Sequence, residues 1–193
     1  MIRIATEADV PEILAIYAPY ILTTTHTFEY DVPTEEAFLH RFLGITRQFP
    51  WLVWEEDGTI LGYAYASAPF ERAAFGWCAE DSLYLRPEAR GRRIGTRLLT
   101  ALEAILRLQG YCRVYAIITS ENLASLDFHR KNGYQFTAQM PDCGFKFGRW
   151  LGITWMDKSL NSVDFPNSNP VSWSELVNNA QTFSDILGIL SLF

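Results

Sequence analysis

The sequence predicts an α+β fold of α/β/α layers, in which a mixed, mostly antiparallel sheet carries helices on both faces. Three observations predict it: two helical patterns near the N-terminus, a run of short strands with tight turns in the middle, and a strand–helix–strand alternation afterwards. Of the 193 residues, 49% are hydrophobic and 15% are aromatic, which is enough apolar material for a sizeable core. The sequence shows no internal repeat and no low-complexity segment.

The first half of the chain is expected to form short strands and amphipathic helices. Apolar residues spaced for a buried helix face follow Val10, and Pro33 lies where a second helix would begin. Asp57 and Gly58 form a dipeptide typical of two-residue hairpin turns. The predicted elements are a strand at 2–4, helices at 10–22 and 33–45, and strands at 51–55 and 60–67.

The second half is expected to complete the sheet. A strand at 75–85 leads into a helix that starts near Gly95 and ends before Gly110, a residue typical of helix C-termini. The apolar run at 114–118 predicts a buried strand. The remaining predicted elements are a helix at 122–132 and strands from 134 onward, the last of them at 150–158.

Residues 159–193 are predicted to be an extension to a domain that spans residues 1–158. All 16 Lys and Arg residues lie at or before Lys158, and a linker is expected at 161–170. Ser172 and Glu175 have the spacing of a capping box, and Val171 and Leu176 that of a hydrophobic staple. One amphipathic helix is then expected, packed on its own domain or, as an alternative, on a partner. Its apolar face would comprise Trp173, Leu176, Val177, Ala180, Phe183, Leu187 and Leu190.

The strongest functional signal is the charge around the loop before the helix at 95–109. Five arginines lie between Arg86 and Arg97 with a single acid, Glu88, although the chain as a whole has a net charge of −6. A helix N-terminus offers free backbone N–H groups and a favourable dipole for an anion. The pattern predicts a site for a compact polyanion; nucleic acid would require a broader basic face.

The motif R-G-R-R-I-G at 90–95 resembles the Q/R-x-x-G-x-G/A signature of GNAT superfamily N-acetyltransferases, with Arg93 in place of the first glycine. Three further segments are similar to the phosphinothricin acetyltransferase-like branch: W-C-A-E-D-S-L-Y-L at 77–85, S-L-D-F-H-R-K-N-G-Y at 125–134 and G-F-K-F-G-R-W at 144–150. The resemblance covers residues 1–158. It implies a GNAT-type sheet and acetyl-CoA as the co-substrate.

The same resemblance implies which residues bind acetyl-CoA. The backbone of the loop would hold the pyrophosphate, and Asn122 and Ser125 would cap the next helix and contact the pantetheine arm. A solvated basic loop and simple helix capping are the alternatives. The full set implied is Leu83, Tyr84, Leu85, Arg90, Gly91, Arg92, Arg93, Ile94, Gly95, Thr96, Asn122 and Ser125.

Two catalytic residues are implied. Glu80 matches the glutamate with which the branch deprotonates its amine, and His129 matches the position of the group that protonates the departing thiolate. The alternatives are a strand-end surface acid for Glu80 and a partly buried histidine without a catalytic task for His129. Asp81 is expected to face the opposite side of the strand from Glu80.

Substrate recognition is implied for Phe28, Glu29 and Arg72, with surface charge as the alternative for Glu29 and Arg72. An arginine suits a carboxylate-bearing substrate because it can bind the carboxylate with two N–H groups. Phe147 and Gly152 depart from a histidine and an aspartate of the branch, which weakens any claim that phosphinothricin itself is the natural substrate.

The resulting hypothesis is acetyl-CoA-dependent transfer to the primary amine of a small amino acid or analogue, of the phosphinothricin, methionine sulfone or methionine sulfoximine type. The alternatives are acetylation of a peptide or protein N-terminus and a non-catalytic acyl-CoA-binding module. Three cysteines without metal-ligand spacing predict no metal site and no disulfide framework. No leader or membrane span is expected, so a cytoplasmic location is predicted, and the resemblance implies a homodimer with its pocket near the interface.

Overall fold

The computed structural model describes residues 1–163 and 168–193. Part of the predicted linker, residues 164–167, therefore lies outside the described residues. The described chain forms strands β1 (Ile2–Ile4), β2 (Trp51–Glu56), β3 (Thr59–Ser67), β4 (Cys78–Leu85), β5 (Arg113–Thr119), β6 (Gln135–Lys146) and β7 (Arg149–Ser159). Its helices are α1 (Val10–Thr23), α2 (Glu35–Ile45), α3 (Ile94–Gln109), α4 (Leu123–Lys131), α5 (Trp173–Asn178) and α6 (Ala180–Ser191).

The strands form one sheet in the order β1-β2-β3-β4-β5-β7-β6. Neighbouring strands are antiparallel throughout, except that β4 and β5 are parallel. The predicted α+β class with a mixed, mostly antiparallel sheet is therefore confirmed. The predicted β2–β3 hairpin is also present, with Asp57 at φ 50° and Gly58 at φ 78°, both in the left-handed region that this turn requires.

Helices cover both faces of the sheet, and each face has its own apolar core. On one face, α1 and α2 pack on β2 and β3, where Ile13, Phe38 and Trp51 are buried. On the other face, α3 lies along the sheet with Leu98, Leu102 and Ile105 fully buried. The alternation of side chains along each strand supplies residues to both cores.

The strand predicted from residue 75 begins later, at Cys78. Residues 73–75 instead form a single 3₁₀ turn, closed by the Gly76 amide, which donates to the Ala73 carbonyl at 3.0 Å. The Phe75 ring packs on the ring of Phe70, with 4.4 Å between their centroids. This local aromatic contact replaces ladder pairing at that position.

The C-terminal extension contains two helices where a single one was expected. The backbone leaves the helical region at Asn179, whose side chain accepts hydrogen bonds from the first amides of α6. The break changes the buried face, so that Ile186 is buried and the predicted Leu187 is 48% exposed. Trp173 and Leu176 lie in the same apolar core as α3, and the capping box of Ser172 and Glu175 is present as predicted.

No helix within residues 1–163 and 168–193 combines the length and apolarity needed to cross a membrane.

Candidate active site

A cleft opens where β4 and β5 separate. These parallel strands pair only from Cys78 to Glu80, and the last pair joins Glu80 to Tyr115. Beyond this pair β5 continues along β7, whereas β4 continues along β3, so the two strands diverge. The gap between them is a cavity of about 280 Å³ that is bounded by both strands, α4 and the start of α3.

The wide end of the cleft lies next to the arginine-rich loop. The first turn of α3 presents the amides of Ile94, Gly95 and Thr96, which have no acceptor inside the helix because α3 begins there. Arg90 lines the cleft and donates to the Tyr20 hydroxyl at 3.1 Å. A helix N-terminus beside an exposed guanidinium is a suitable site for a phosphate group.

The walls of the cleft contain most of the other residues predicted to bind a cofactor. Leu83, Tyr84 and Leu85 form the β4 wall. The α4 wall includes Asn122 and Ser125, and the Asn122 side chain accepts from the Ser125 amide at 3.2 Å, so it caps the helix. Residues that the sequence reasoning missed also line the cleft, among them Tyr20, His26, Ala116, Ile117, Ile118 and Phe128.

Five predicted residues are not in the cleft wall: Gly91, Arg92, Arg93, Ile94 and Thr96. The Arg92 guanidinium is committed elsewhere, since it donates to both carboxylate oxygens of Glu56 at 2.9 and 2.7 Å. The side chain of Ile94 is buried in the core under α3. The side chains of Arg92 and Ile94 are therefore not available to an anion, whereas the backbone groups of this segment are.

Arg93 occupies a left-handed backbone conformation, with φ 63° and ψ 9°, directly before α3. This conformation is strained for a residue with a Cβ, which explains why glycine suits the position. The side chain of Arg93 is exposed, and its carbonyl accepts the hydrogen bond of the Arg97 amide. The backbone path of a glycine is therefore retained in spite of the substitution.

Glu80 lies at the narrow end of the cleft and does not itself line it. Glu80 pairs in register with Ser67 of β3, two residues along from the pair of Tyr65 and Ser82. Because side chains alternate along a strand, Glu80 faces the same side of the sheet as Ser82, which is the side covered by α1 and α2. Burial and the charge of Asp81 raise the pKa of Glu80 to about 7. A carboxyl group with this pKa can exchange a proton near neutral pH.

Asp81 faces the other side of the sheet, as the alternation predicts, and contacts His129 on α4. His129 is 6% exposed, and its Nε2 lies 3.1 Å from Asp81 Oδ2. Its Nδ1 lies 2.8 Å from the Ser125 carbonyl oxygen. Burial lowers the pKa of His129, but the hydrogen bond and charge of Asp81 outweigh burial and raise it overall.

The predicted substrate residues Phe28 and Glu29 lie in the loop between α1 and α2. The Phe28 ring packs against Gly144 of β6 so closely that an added Cβ there would lie 2.2 Å from the ring. The carboxylate of Glu29 is already engaged, because it accepts from Arg41 at 2.7 Å and from the Tyr17 hydroxyl at 3.0 Å. Arg41 on α2 was not singled out in the sequence, since its spacing resembles that of any exposed helix residue.

Arg72 is exposed and immediately precedes the 3₁₀ turn at 73–75. Within the described parts of the chain its guanidinium has no hydrogen-bond or ion-pair partner. The structure therefore does not join Arg72 to Glu29 in one cluster, and leaves its side chain free to bind an external anion.

Comparison with known proteins identifies the fold family. The sequence model of the family described as "Acetyltransferase (GNAT) domain" matches residues 2–155. A curated relative from Pseudomonas aeruginosa, named L-methionine sulfoximine/L-methionine sulfone acetyltransferase, is 40% identical over 165 residues, covering 83% of this chain and 94% of its own.

Two solved structures also resemble the chain closely. The GNAT superfamily phosphinothricin acetyltransferase of Sinorhizobium meliloti, solved in complex with acetyl-CoA, has a TM-score of 0.81 and 36% identity, covering 89% of this chain and 92% of its own. The ribosomal-protein-alanine N-acetyltransferase of Brucella melitensis has a TM-score of 0.79 and 34% identity, covering 83% of this chain and 99% of its own. With the family model and these relatives in agreement, the chain belongs to the GNAT family of acetyltransferases.

Proposed function

We propose that this enzyme transfers the acetyl group of acetyl-CoA to the primary amine of a small amino acid or analogue, of the phosphinothricin, methionine sulfone or methionine sulfoximine type. The observation that carries the proposal is the cleft between β4 and β5, which has an anion-binding loop at its wide end and Glu80 at its narrow end. The relatives' names support this class of acceptor.

Acetyl-CoA supplies the activated acetyl group as a thioester and is used as a co-substrate. Its pyrophosphate fits the amides at the start of α3, and Arg90 adds positive charge at the same end of the cleft. Leu83, Tyr84 and Leu85 on one wall, with Asn122 and Ser125 on the other, would hold its pantetheine arm. Gly91, Arg92, Arg93, Ile94 and Thr96 would contribute through the backbone of the loop.

Glu80 would act as the general base. An alkyl ammonium of pKa about 9–10 is mostly protonated at neutral pH, so its nitrogen needs to lose a proton before attack. The Glu80 carboxyl, with a pKa of about 7, accepts that proton when it is ionised. The nitrogen lone pair then forms the new N–C bond while the C–S bond breaks and its electron pair stays on sulfur.

His129 would supply the proton that the departing thiolate takes up. Its side chain lines the cleft, and although burial lowers its pKa, the hydrogen bond and charge of Asp81 raise that pKa overall, which stabilises the imidazolium form. A free thiol has a pKa of about 8.5, and transfer of a proton to the thiolate is therefore favourable from an imidazolium of ordinary acidity.

Arg72 would bind the carboxylate of the acceptor, because its guanidinium is exposed and unpaired in the described chain. Phe28 and Glu29 would contribute to acceptor binding from the α1–α2 loop. Since Arg41 and Tyr17 already satisfy the Glu29 carboxylate, Glu29 would act by fixing the loop and its charge.

A homodimer in the cytoplasm completes the proposal. The β6–β7 hairpin forms the free edge of the sheet and carries a set of exposed apolar side chains: Phe136, Met140, Phe145, Phe147 and Trp150. An apolar edge of this kind is typical of an interface. All three cysteines are free, which suits a reducing compartment. Light scattering of the wild type and of Trp150→Glu would test the dimer, which the charge should weaken.

The function is tested by measuring thiol release from acetyl-CoA with a panel of amines. The panel would contain the common amino acids, methionine sulfone, methionine sulfoximine, phosphinothricin and short peptides. We expect the highest kcat/KM with an amino acid analogue. A clear preference for a peptide with N-terminal alanine would support the activity named for the Brucella neighbour instead. Tight acetyl-CoA binding without turnover on any amine would contradict the proposal.

A further inference from the structure

Asp81 is a buried acid for which the proposed chemistry has no direct use. Its carboxylate faces α4 and lies beside the cleft. Glu80 lies at the end of the same cleft, on the opposite face of the sheet. We propose that Asp81 is a positioning residue that holds His129 in its doubly protonated form at the wall of the cleft. The inference rests on the proposed acyl transfer, for which His129 would be the proton donor.

The hydrogen bonds around His129 carry the proposal. Nδ1 faces the Ser125 carbonyl oxygen at 2.8 Å and Nε2 faces Asp81 Oδ2 at 3.1 Å. Both neighbours accept hydrogen bonds, whereas a neutral imidazole has only one N–H to donate. The imidazolium has two N–H groups and satisfies both acceptors, so this environment selects the charged ring.

Asp81 is itself fixed in place. Its other oxygen, Oδ1, accepts a hydrogen bond of 2.9 Å from the Tyr134 hydroxyl, and its side chain is 1% exposed. Tyr134 also packs edge-on against the His129 ring, with 5.0 Å between centroids. The carboxylate therefore cannot turn toward water, and its position determines that of the imidazole.

The other charged groups near His129 do not replace Asp81. Glu103 of α3 also favours the protonated ring, but Lys158 of β7 binds its carboxylate at 2.6 Å and neutralises it. Ser125 on α4 offers two neutral groups, its carbonyl oxygen and its hydroxyl, whose Oγ lies 3.3 Å from Nδ1. The Phe128 ring beside His129 is uncharged. Asp81 is thus the carboxylate that pairs directly with the ring.

A consequence follows for both ends of the reaction. The Asp81 charge raises the pKa of His129 on one face of the sheet and that of Glu80 on the other. Activity should require ionised Glu80 and protonated His129, which gives an acid limb and a basic limb in the pH profile. Removing the Asp81 charge should move both limbs to lower pH, a joint shift that a purely structural residue would not produce.

The first test is independent of activity. The ring signals of His26, His40 and His129 would be assigned in ¹⁵N-histidine-labelled protein with His→Gln variants and titrated by NMR. In the wild type we expect His129 to titrate above the ordinary value of about 6.5. In Asp81→Asn its pKa should fall by about one unit or more. Asp81→Glu should retain most of the elevation, and Asp185→Asn, the same change at an exposed site in α6, should leave it unchanged.

A wild-type His129 that titrates at or below about 6.5 would overturn the proposal, even if Asp81→Asn failed to fold. An unchanged His129 pKa in a folded Asp81→Asn variant would overturn it as well. The pH profile of kcat/KM is the second arm, and there both limbs should move together in Asp81→Asn. If no amine is acetylated, the proposed function fails, while the NMR titration still decides whether Asp81 holds the charged histidine.

Discussion

Glu80 and Tyr115 form the last backbone pair between β4 and β5, and the cleft begins at the next residue of each strand. The position of the proposed base is therefore set by the point at which the sheet divides. Residues further along β4, from Asp81 to Leu85, line the cleft wall, whereas the residues from Cys78 to Glu80 lie within the paired sheet. In the proposed reaction, the Glu80 carboxylate would meet the amine at this end of the cleft.

Glu80→Gln should reduce turnover by about 10²–10⁴-fold near neutral pH, because the variant retains the shape of the side chain and loses its ability to accept a proton. In the wild type, kcat/KM should rise as pH increases through about 7, where Glu80 ionises. The variant should lack this acid limb, and its deficit should shrink at high pH, where more of the amine is already free. Initial rates across pH with the best acceptor give the measurement.

The affinity for acetyl-CoA serves as the control for Glu80→Gln. It should change little, since the loop that we propose to bind the pyrophosphate lies at the other end of the cleft. A variant rate within a few-fold of the wild type at pH 7 would rule out the role assigned to Glu80.

Arg93→Gly should leave acetyl-CoA affinity nearly unchanged and raise the free energy of unfolding by up to about 1 kcal/mol. Removing the strain of a left-handed non-glycine residue stabilises the folded state by about 1–2 kcal/mol. About half of this gain is lost because glycine gives up more backbone freedom on folding. Arg93→Ala is the matched control, because it removes the same charge and keeps the strain. Calorimetric binding and chemical denaturation measure the two effects. A large affinity gain in the glycine variant alone would show that the arginine damages the anion site.

Removing residues 168–193 should lower the melting temperature and solubility while acetyl-CoA affinity is retained. The extension buries Trp173, Leu176, Ile186 and Leu190 against the core under α3, and their loss would expose that core. Trp173→Ala alone should lower the free energy of unfolding by about 3–5 kcal/mol. Thermal denaturation and light scattering distinguish an extension that packs on its own domain from one that binds a partner. An unchanged melting temperature with an altered oligomeric state would favour a partner-binding role.

Gly152→Ala should destabilise the protein by about 1–3 kcal/mol, because the site has no room for a side chain. A Cβ at this position would lie 2.9 Å from the Met140 carbonyl oxygen and 3.2 Å from the Cα of Pro141, both backbone atoms of the irregular part of β6. Gly44→Ala is the control, since nothing lies within 4 Å of its added Cβ and alanine favours helix α2. Equal stability of the two variants would contradict the tight packing of β6 on Gly152.

Much of the fold follows from local patterns in the sequence. The bounds of α3 follow from apolar periodicity and from Gly110, and the β2–β3 hairpin follows from Asp57-Gly58. The chemistry of the Arg90–Thr96 loop is likewise local, because a helix start and clustered arginines are adjacent in the chain. These features depend on residues a few positions apart, and their energies are expressed in any context that allows the segment to fold.

The remaining features were decided by contacts between distant residues. Asp81 contacts His129, which is 48 residues away in the sequence. Glu29 is bound by Arg41 and is therefore not left open to a substrate. The helix of the extension is interrupted at Asn179, because the Asn179 side chain caps α6 and the apolar pattern does not continue through it as one helix. Ile186 is buried as a result, in place of Leu187. The sequence by itself determined which residues could carry a charge, cap a helix or pack in the core. Only the register of the sheet and the packing of α4 on it determined which of these residues contact one another. The reason is that the direction of a side chain is set by neighbours that are remote in the chain.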